Sequence, residues 1–323
     1  MFDRKTINAT LILIGTVIGA GIFALPYVIS KSGILPGIFY FIFLGFVVLL
    51  LHLFYGEIVL RTKKPSRIVG FAERYLGRYG KFIVLISVLV SISGSILVYL
   101  ILGSTFLQII FFSHLPKIFY ILFFWVLISV FIVADWKKAA LFNSLMTGLL
   151  ILVVLIIIFY GLPRIKLSNI SFIDYSYLFL PWGAIFYSLS GGSAIPEMRE
   201  VIGEKGRNLK RGIIIGSCAP ILIYFLFSFV AVGVVGKSIT AEAIGSFSSV
   251  LGRGILYLGA IFGTLNVATS YLVLGIVLKK ILFYDLKVAK IIASALVCFI
   301  PLTLYLLGFY NFIQIIIFFQ RLR

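Results

Sequence analysis

The sequence predicts an all-α integral membrane protein in which two of the membrane-spanning helices are broken in mid-span. Three observations carry this prediction. Of 323 residues, 62% are hydrophobic and 12% charged, against about 45–50% and 25% in soluble domains. Apolar runs of roughly 20 residues, the length needed to cross a bilayer as a helix, recur along the whole sequence. Two of these runs hold a cluster of glycines and small residues followed by a proline, at 15–26 and 183–196.

The apolar runs read in order as spans over 6–30, 34–60, 82–112, 118–134, 139–161, 177–196, 212–236, 254–283 and 288–307. That makes nine crossings in a single transmembrane domain over 1–323, because no connecting stretch is long enough to hold a separate core. Arg4 and Lys5 precede the first span, which is too long for a signal peptide and lacks a small-residue cleavage site. The net charge of +18 could suggest nucleic acid, but the charges lie between spans and not along one face. Most of the Lys and Arg fall in alternate loops: Arg4 and Lys5, then 61–81, Lys137 and Lys138, 199–211, and Lys279 to Lys290. Basic residues accumulate on the cytoplasmic side, so a multi-pass protein of the cell membrane with its amino terminus inside is expected. The lipid bilayer is then the partner of the basic loops, and nucleic acid is not. The loops at 61–81 and 197–211 are long enough for surface helices against anionic headgroups.

In the first span, Gly15-Thr16-Val17-Ile18-Gly19-Ala20-Gly21-Ile22-Phe23-Ala24-Leu25-Pro26 should open the helix near Gly19 to Gly21. Each interior Gly costs about 1 kcal/mol relative to Ala, and Pro26 cannot donate to the carbonyl of Ile22. Open backbone is tolerated in hydrocarbon only where it is buried in protein or lines a polar cavity. A small-residue helix contact would explain the glycines alone, but does not require the proline. The sixth span repeats the pattern in Ser188-Leu189-Ser190-Gly191-Gly192-Ser193-Ala194-Ile195-Pro196. By the loop alternation it runs in the opposite direction, five spans later. Matching interrupted segments in two halves point to a transporter site at an inverted-repeat interface, with one repeat over about 6–161 and the other over about 177–323.

These two stretches also carry a resemblance. The first resembles the first-span signature of amino acid permeases of the amino acid-polyamine-cation superfamily, with aromatic amino acid permeases and amino acid/auxin permeases the most similar. Ser190 to Glu197 resembles their sixth-span break. The resemblance implies a LeuT-type fold of two inverted five-helix repeats and ion-coupled import of an amino acid by alternating access. Physical chemistry points the same way. Opened amides at a helix N-terminus favour a carboxylate, and the carbonyls that end the other half-helix favour an ammonium or a sodium ion. The expected substrate-binding set is Ile18, Gly19, Ala20 and Gly21 with Phe186, Tyr187, Ser188, Leu189, Ser190 and Gly191. The amides of Ala20 and Gly21 would hold the carboxylate, and carbonyls near Val17, Ile18 and 188–190 the ammonium. By the resemblance, Phe186 or Tyr187 would cover the ligand. No Asp or Glu lies near either break on the outer half to pair with a cationic side chain, and no Lys or Arg to pair with an acidic one. A neutral, apolar or aromatic amino acid is therefore expected, since an unpaired buried charge is strongly disfavoured.

Sodium and protons are the candidate coupling ions, and no other cofactor or metal is expected. Sodium is favoured because the resemblance gives the eighth span hydroxyl ligands, here Thr269 and Ser270 with Asn266 on the same span and Val17 opposite. The fifth span also carries no lysine to stand in for the ion. The bland reading of Thr269 and Ser270 is ordinary interhelical hydrogen bonding. Ser87, Ser91 and Ser95 read as a packing stripe. Glu57, an acid inside the second span, is a candidate gate or proton carrier, although Arg61 four residues on can pair with it. His52 reads as a polar packing residue, and Cys218 and Cys298 as buried thiols. No His-x-x-x-His, Ser/Lys pair or intramembrane Asp pair suggests an enzyme. The alternatives to a transporter are a binding subunit or sensor that does not transport, and an inactive fragment. The sequence does not fix the oligomeric state. At the carboxyl end, the apolar run 309–319 rises only about 16 Å as a helix, too short to cross. The second repeat is thus expected to be incomplete, with its tenth span truncated and Arg321 and Arg323 drawn toward the membrane.

Overall fold

A computed structural model of the chain describes residues 3–62, 66–111, 115–134, 139–203, 206–247, 250 and 252–310. Among these residues every regular element is helical. In chain order they are α1 (Arg4–Val17), α2 (Gly21–Ser32), α3 (Ile34–Arg61), α4 (Ile68–Phe111), α5 (Lys117–Val133), α6 (Ala139–Gly161), α7 (Leu180–Leu189), α8 (Ile195–Ile202), α9 (Gly206–Val235), α10 (Arg253–Lys280) and α11 (Lys290–Leu306). α3, α4, α6, α9 and α10 are long and apolar enough to cross a membrane, and the bent pair α1 and α2 makes a sixth such span. α5 and α11 are apolar but have 17 residues each, about 25 Å of rise against a hydrocarbon core of about 30 Å. Lys117 and Lys290 at their starts suit an interfacial anchor, where a long side chain reaches the headgroups.

The expected spans meet these helices closely, with three corrections. The third span is continuous in α4 with the surface helix expected over 61–81, and the joint is Gly77, whose φ of 70° and ψ of −164° only glycine adopts readily. The sixth span does not stop at Pro196: that proline lies in the first turn of α8, where its missing N–H is not needed. The eighth span ends in a π-helical turn, Ile281–Asp285. The basic residues Lys63, Lys64, Lys137, Lys138 and Lys205 lie outside the described residues, as does the terminal run beyond Tyr310.

The chain divides into two compact units, 1–87 with 164–237 and 88–163 with 238–323. In the first, α1 packs on α8 and α9, α2 on α7 and α9, and α3 on α7, α8 and α9. Asp3 starts α1 by accepting the Thr6 amide at 2.9 Å, which satisfies one of the free amides of a helix start. α3 shows why these helices suit a bilayer: Tyr40, Phe41, Leu44 and Val48 are buried on one face, while Ile42 (70% exposed), Phe46 (61%) and Phe54 (64%) project from the other. Such an apolar outer face is costly in water and favourable in lipid.

The connection 164–179 is tied down from both sides. Ile34 donates to Ser171 O at 2.9 Å and Asp174 to Ser32 O at 2.8 Å. Gly33, at φ 94°, lets the backbones meet, since a β-carbon there would lie 2.5 Å from Phe172 O. Asn169 Nδ2 donates to Gly233 O and Val234 O at the end of α9.

In the second unit α10 packs on α6, α5 and α11. Lys279 of α10 is buried and donates to Ile132 O at 2.7 Å, where its charge caps the carbonyl end of α5. Cys298 is buried, but Cys218 is exposed on α9, contrary to the expectation of two buried thiols. A thiol is apolar enough for a lipid-facing position.

Candidate functional site: two helix breaks in one unit

The first break falls at Ile18, Gly19 and Ala20, between α1 and α2, and the two half-helices are bent by 54°. Ile18 leaves the helix with ψ 92°, its amide still bonded to Ile14 O at 2.8 Å. Gly21, expected inside the break, is instead the first residue of α2. The opening precedes Pro26 by two turns, so the proline does not mark the break itself. Having no N–H, it makes no bond to the carbonyl of Ile22, in the first turn of α2.

The second break falls at Ser190 and Gly191, followed by a 3-10 turn, Gly192–Ala194, that leads into α8. Ser190 turns out at ψ 113°, its amide bonded to Tyr187 O at 3.1 Å and its hydroxyl to Phe186 O at 2.8 Å. Ser188 Oγ donates to Ala184 O at 2.7 Å.

The two breaks meet at glycines. A β-carbon on Gly21 would lie 2.8 Å from Ser188 Cα, and one on Gly191 would overlap the Val17 side chain and approach Leu13 Cδ1 at 3.3 Å. Ile18, Gly19, Ala20, Gly21, Ser188, Leu189 and Gly191 are buried, and Phe186, Tyr187 and Ser190 are half-buried. The substrate-binding residues expected from sequence are therefore brought together in one unit. The half-buried trio forms their more open side. The glycine at 21 has a more immediate cause than an approaching carboxylate, because its α-carbon face is taken by Ser188.

At each break a side chain from another helix bonds the opened backbone: Tyr224 of α9 at the first, and at the second His52 of α3, backed by Ser217 of α9; the sequence reading missed Tyr224 and Ser217. Tyr224, wholly buried, donates from its hydroxyl to Val17 O at 2.7 Å, at the end of α1. At the second, the Gly191 amide donates to His52 Nε2 at 3.4 Å, and His52 Nδ1 lies 2.9 Å from Ser217 Oγ. An amide can only donate, so Nε2 must be the acceptor; in the neutral ring the proton then sits on Nδ1 and points to Ser217. Both side chains are buried, His52 at 4% and Ser217 at 3% exposure. A tyrosine and a serine seven residues apart on an apolar helix give a faint signal: both fall on one face two turns apart.

Glu57 does not join this site. It lies on the exposed side of α3 with its carboxylate 2.6 Å from Arg61 Nε, the i,i+4 pairing anticipated from sequence. Arg67 pairs with Glu197 at 3.2 Å, and Arg199 donates to Thr62 O at 3.0 Å.

The residues expected to hold an ion belong to different units, Val17 to the first and Asn266, Thr269 and Ser270 to the second. Within the second, Thr269 Oγ1 and Ser270 Oγ donate to Asn143 Oδ1 of α6 at 2.9 and 3.2 Å. Thr147 Oγ1 donates to Asn266 Oδ1 at 3.1 Å. Hydroxyls that give their protons to Asn143 keep their lone pairs, so Thr269 and Ser270 fit a hard cation. The Asn266 amide fits less well: its oxygen is engaged and its buried Nδ2, without a protein partner, is a donor. Among the described residues no group of three His, Cys, Asp or Glu side chains is placed to hold a metal.

This arrangement has relatives. The chain superposes on MHP1, a nucleobase-cation-symport-1 family transporter in a closed conformation with bromovinylhydantoin bound, with a TM-score of 0.70 and 12% identity, covering 98% of this chain and 74% of that one. On the crystal structure of MhsT in complex with L-phenylalanine the TM-score is 0.65 at 15% identity, covering 98% and 80%. Both have the LeuT fold, which is thereby the fold of this chain. Two proteins of Haemophilus influenzae are similar in sequence. Tyrosine-specific transport system 1 is 24% identical over 92% of this chain and 79% of its own length, and tyrosine-specific transport system 2 is 26% identical over 74% and 60%. The tryptophan/tyrosine permease family matches residues 3–318. The chain is thus a multi-pass membrane protein that belongs to the tryptophan/tyrosine permease family, a family of amino acid transporters and not of enzymes.

Proposed function

We propose that the chain is an ion-coupled importer of a neutral aromatic amino acid, tyrosine first among them, that binds its substrate where the first and sixth spans are broken. The observation that carries this reading is the meeting of two opened helices in one unit, Gly21 against Ser188 and Gly191 against Val17. The N-terminus of α2 offers amides of the sign that suits a carboxylate, and the end of α7 offers carbonyls for an ammonium. Half-buried Phe186 and Tyr187 beside the second break suit an aromatic side chain. The names of the Haemophilus relatives favour tyrosine, and the fold neighbour with bound L-phenylalanine favours the same class. The small-molecule substrate would move inward through a chain whose amino terminus faces the cytoplasm, as the basic loops suggest.

Uptake of radiolabelled L-tyrosine, L-tryptophan and L-phenylalanine into proteoliposomes, with arginine and glutamate as competitors, tests this. Accumulation of aromatic amino acids, resisted by neither charged competitor, is expected. Binding without accumulation would instead make the chain a sensor, and preferential uptake of arginine or glutamate would overturn the substrate class.

A further inference from the structure

We infer that His52 is a proton-operated latch on the sixth-span break, closed when the imidazole is neutral and released when it is protonated. The inference deepens the transporter reading and rests on it for its role in transport. Its basis is the pair of hydrogen bonds at one buried ring: the Gly191 amide donates to Nε2, and Nδ1 faces Ser217 Oγ.

In the neutral ring Nε2 supplies the lone pair that accepts the Gly191 N–H. A proton taken up from water or from a passing substrate can bind only at that nitrogen, since Nδ1 already carries one. Nε2–H then faces N–H, an acceptor has become a donor, and the bond to Gly191 is lost. The bond from Nδ1–H to Ser217 survives and is strengthened by the charge. Gly191 is one of the two residues between α7 and the turn leading to α8, so the hinge between the half-helices loses its side-chain tie. The freed amide and the new N–H are two donors side by side, and neither can accept from the other.

The surroundings leave His52 as the group that responds. On α3 itself, Tyr55 adjoins it at Gly192 but loses its proton only well above neutral pH, and Glu57 is paired with Arg61. On α8, Glu197 pairs with Arg67, Arg199 is held by Thr62 O, and Glu200 is exposed. On α9, Cys218, Lys210 and Arg211 are exposed and Tyr224 is engaged at the first break. α7 offers Tyr187, and α2 offers Tyr27 and Lys31, which stacks over the Tyr27 ring. None of these is shown in hydrogen-bond contact with the ring, so the group that can change at the second break is the imidazole itself.

The test is backbone hydrogen exchange of the reconstituted full chain over residues 190–194, from about pH 8 down to the acid limit of the folded chain, corrected for the intrinsic pH dependence of exchange. Protection in the wild type is expected to fall about fivefold to tenfold as pH falls, the loss of one hydrogen bond. His52→Gln, which can accept from Gly191 through Oε1 but cannot be protonated, should stay protected throughout. Wild-type protection that ignores pH, or a glutamine variant that loses protection like the wild type, would overturn the latch. Should that variant fail to fold, Ser217→Ala carries the test: without its acceptor the imidazolium is disfavoured more than the neutral ring, and the transition should move about one pH unit lower. An unmoved transition would overturn the proposal. Tyrosine uptake on the same preparations separates the two readings, since a pH-dependent latch in a chain that never accumulates tyrosine removes the transporter reading and leaves the latch standing.

Discussion

At the first break, α9 supplies a single phenol, Tyr224, that donates directly to the opened carbonyl of Val17. At the second, α9 supplies only Ser217, and the contact with the backbone passes through the titratable ring of His52. The buried polar backbone must be satisfied at both, because an unmet amide or carbonyl in hydrocarbon costs several kcal/mol. The difference is that one tie is fixed and the other is conditional. A helix break can thus serve as a rigid binding surface or as a moving part, according to the chemistry of the one side chain that closes it.

The largest effect should come from removing the space in which the breaks meet. Gly21→Val would push a branched side chain into Ser188 Cα, a clash with backbone that cannot be relieved by a rotamer change. Tyrosine binding, measured by scintillation proximity, should weaken at least about 100-fold, roughly 3 kcal/mol. Gly148→Ala, where nothing lies within 4 Å of the new carbon, should bind normally. Equal binding by the valine variant would separate the first break from the site altogether.

Tyr224→Phe should have an intermediate effect and sharpens the contrast between the two ties. It deletes the hydrogen bond to Val17 O and leaves that buried carbonyl short of a donor, and a loss of about 10-fold in affinity follows from about 1–2 kcal/mol. Measured across pH, that loss should be constant, whereas the effect of His52→Gln should grow as pH falls. A pH-dependent Tyr224→Phe defect would erase the distinction between a fixed and a conditional brace.

Glu57→Gln should do least. Its partner Arg61 and the acid itself are both largely exposed, and such pairs contribute about 0–1 kcal/mol. Uptake rate and its pH profile should stay within about twofold of wild type. A lost pH response would return the proton-carrying role to Glu57.

The breaks were legible in the sequence because glycine and proline act locally: the cost of closing a helix at Gly19 or Gly191 is paid by those residues alone. Span positions were legible for the same reason, as the bilayer reads each 20-residue window separately. What holds the breaks was not legible. Tyr224 is one aromatic residue in a long apolar helix, and its partner is 207 positions away. His52 was visible as an oddity in the second span, but its neighbours Ser217 and Gly191 are set by packing of α3 on α9 and α8, which no local pattern encodes. Pro196 misled for a related reason, since the same residue can end a helix or begin one.

The distance from Val17 to Tyr224 has a consequence for how the protein is made. At about 5–20 residues per second, roughly 10–40 s separate the synthesis of the first span from that of the tyrosine that satisfies its opened carbonyl. In that interval an open backbone would sit in lipid without a partner. The first span should therefore enter the bilayer as an uninterrupted helix, its glycines tolerated at about 1 kcal/mol each, and bend only when the seventh span arrives beside it. On this view the bend is a late event of assembly, absent from the nascent chain on the ribosome and acquired from a neighbour.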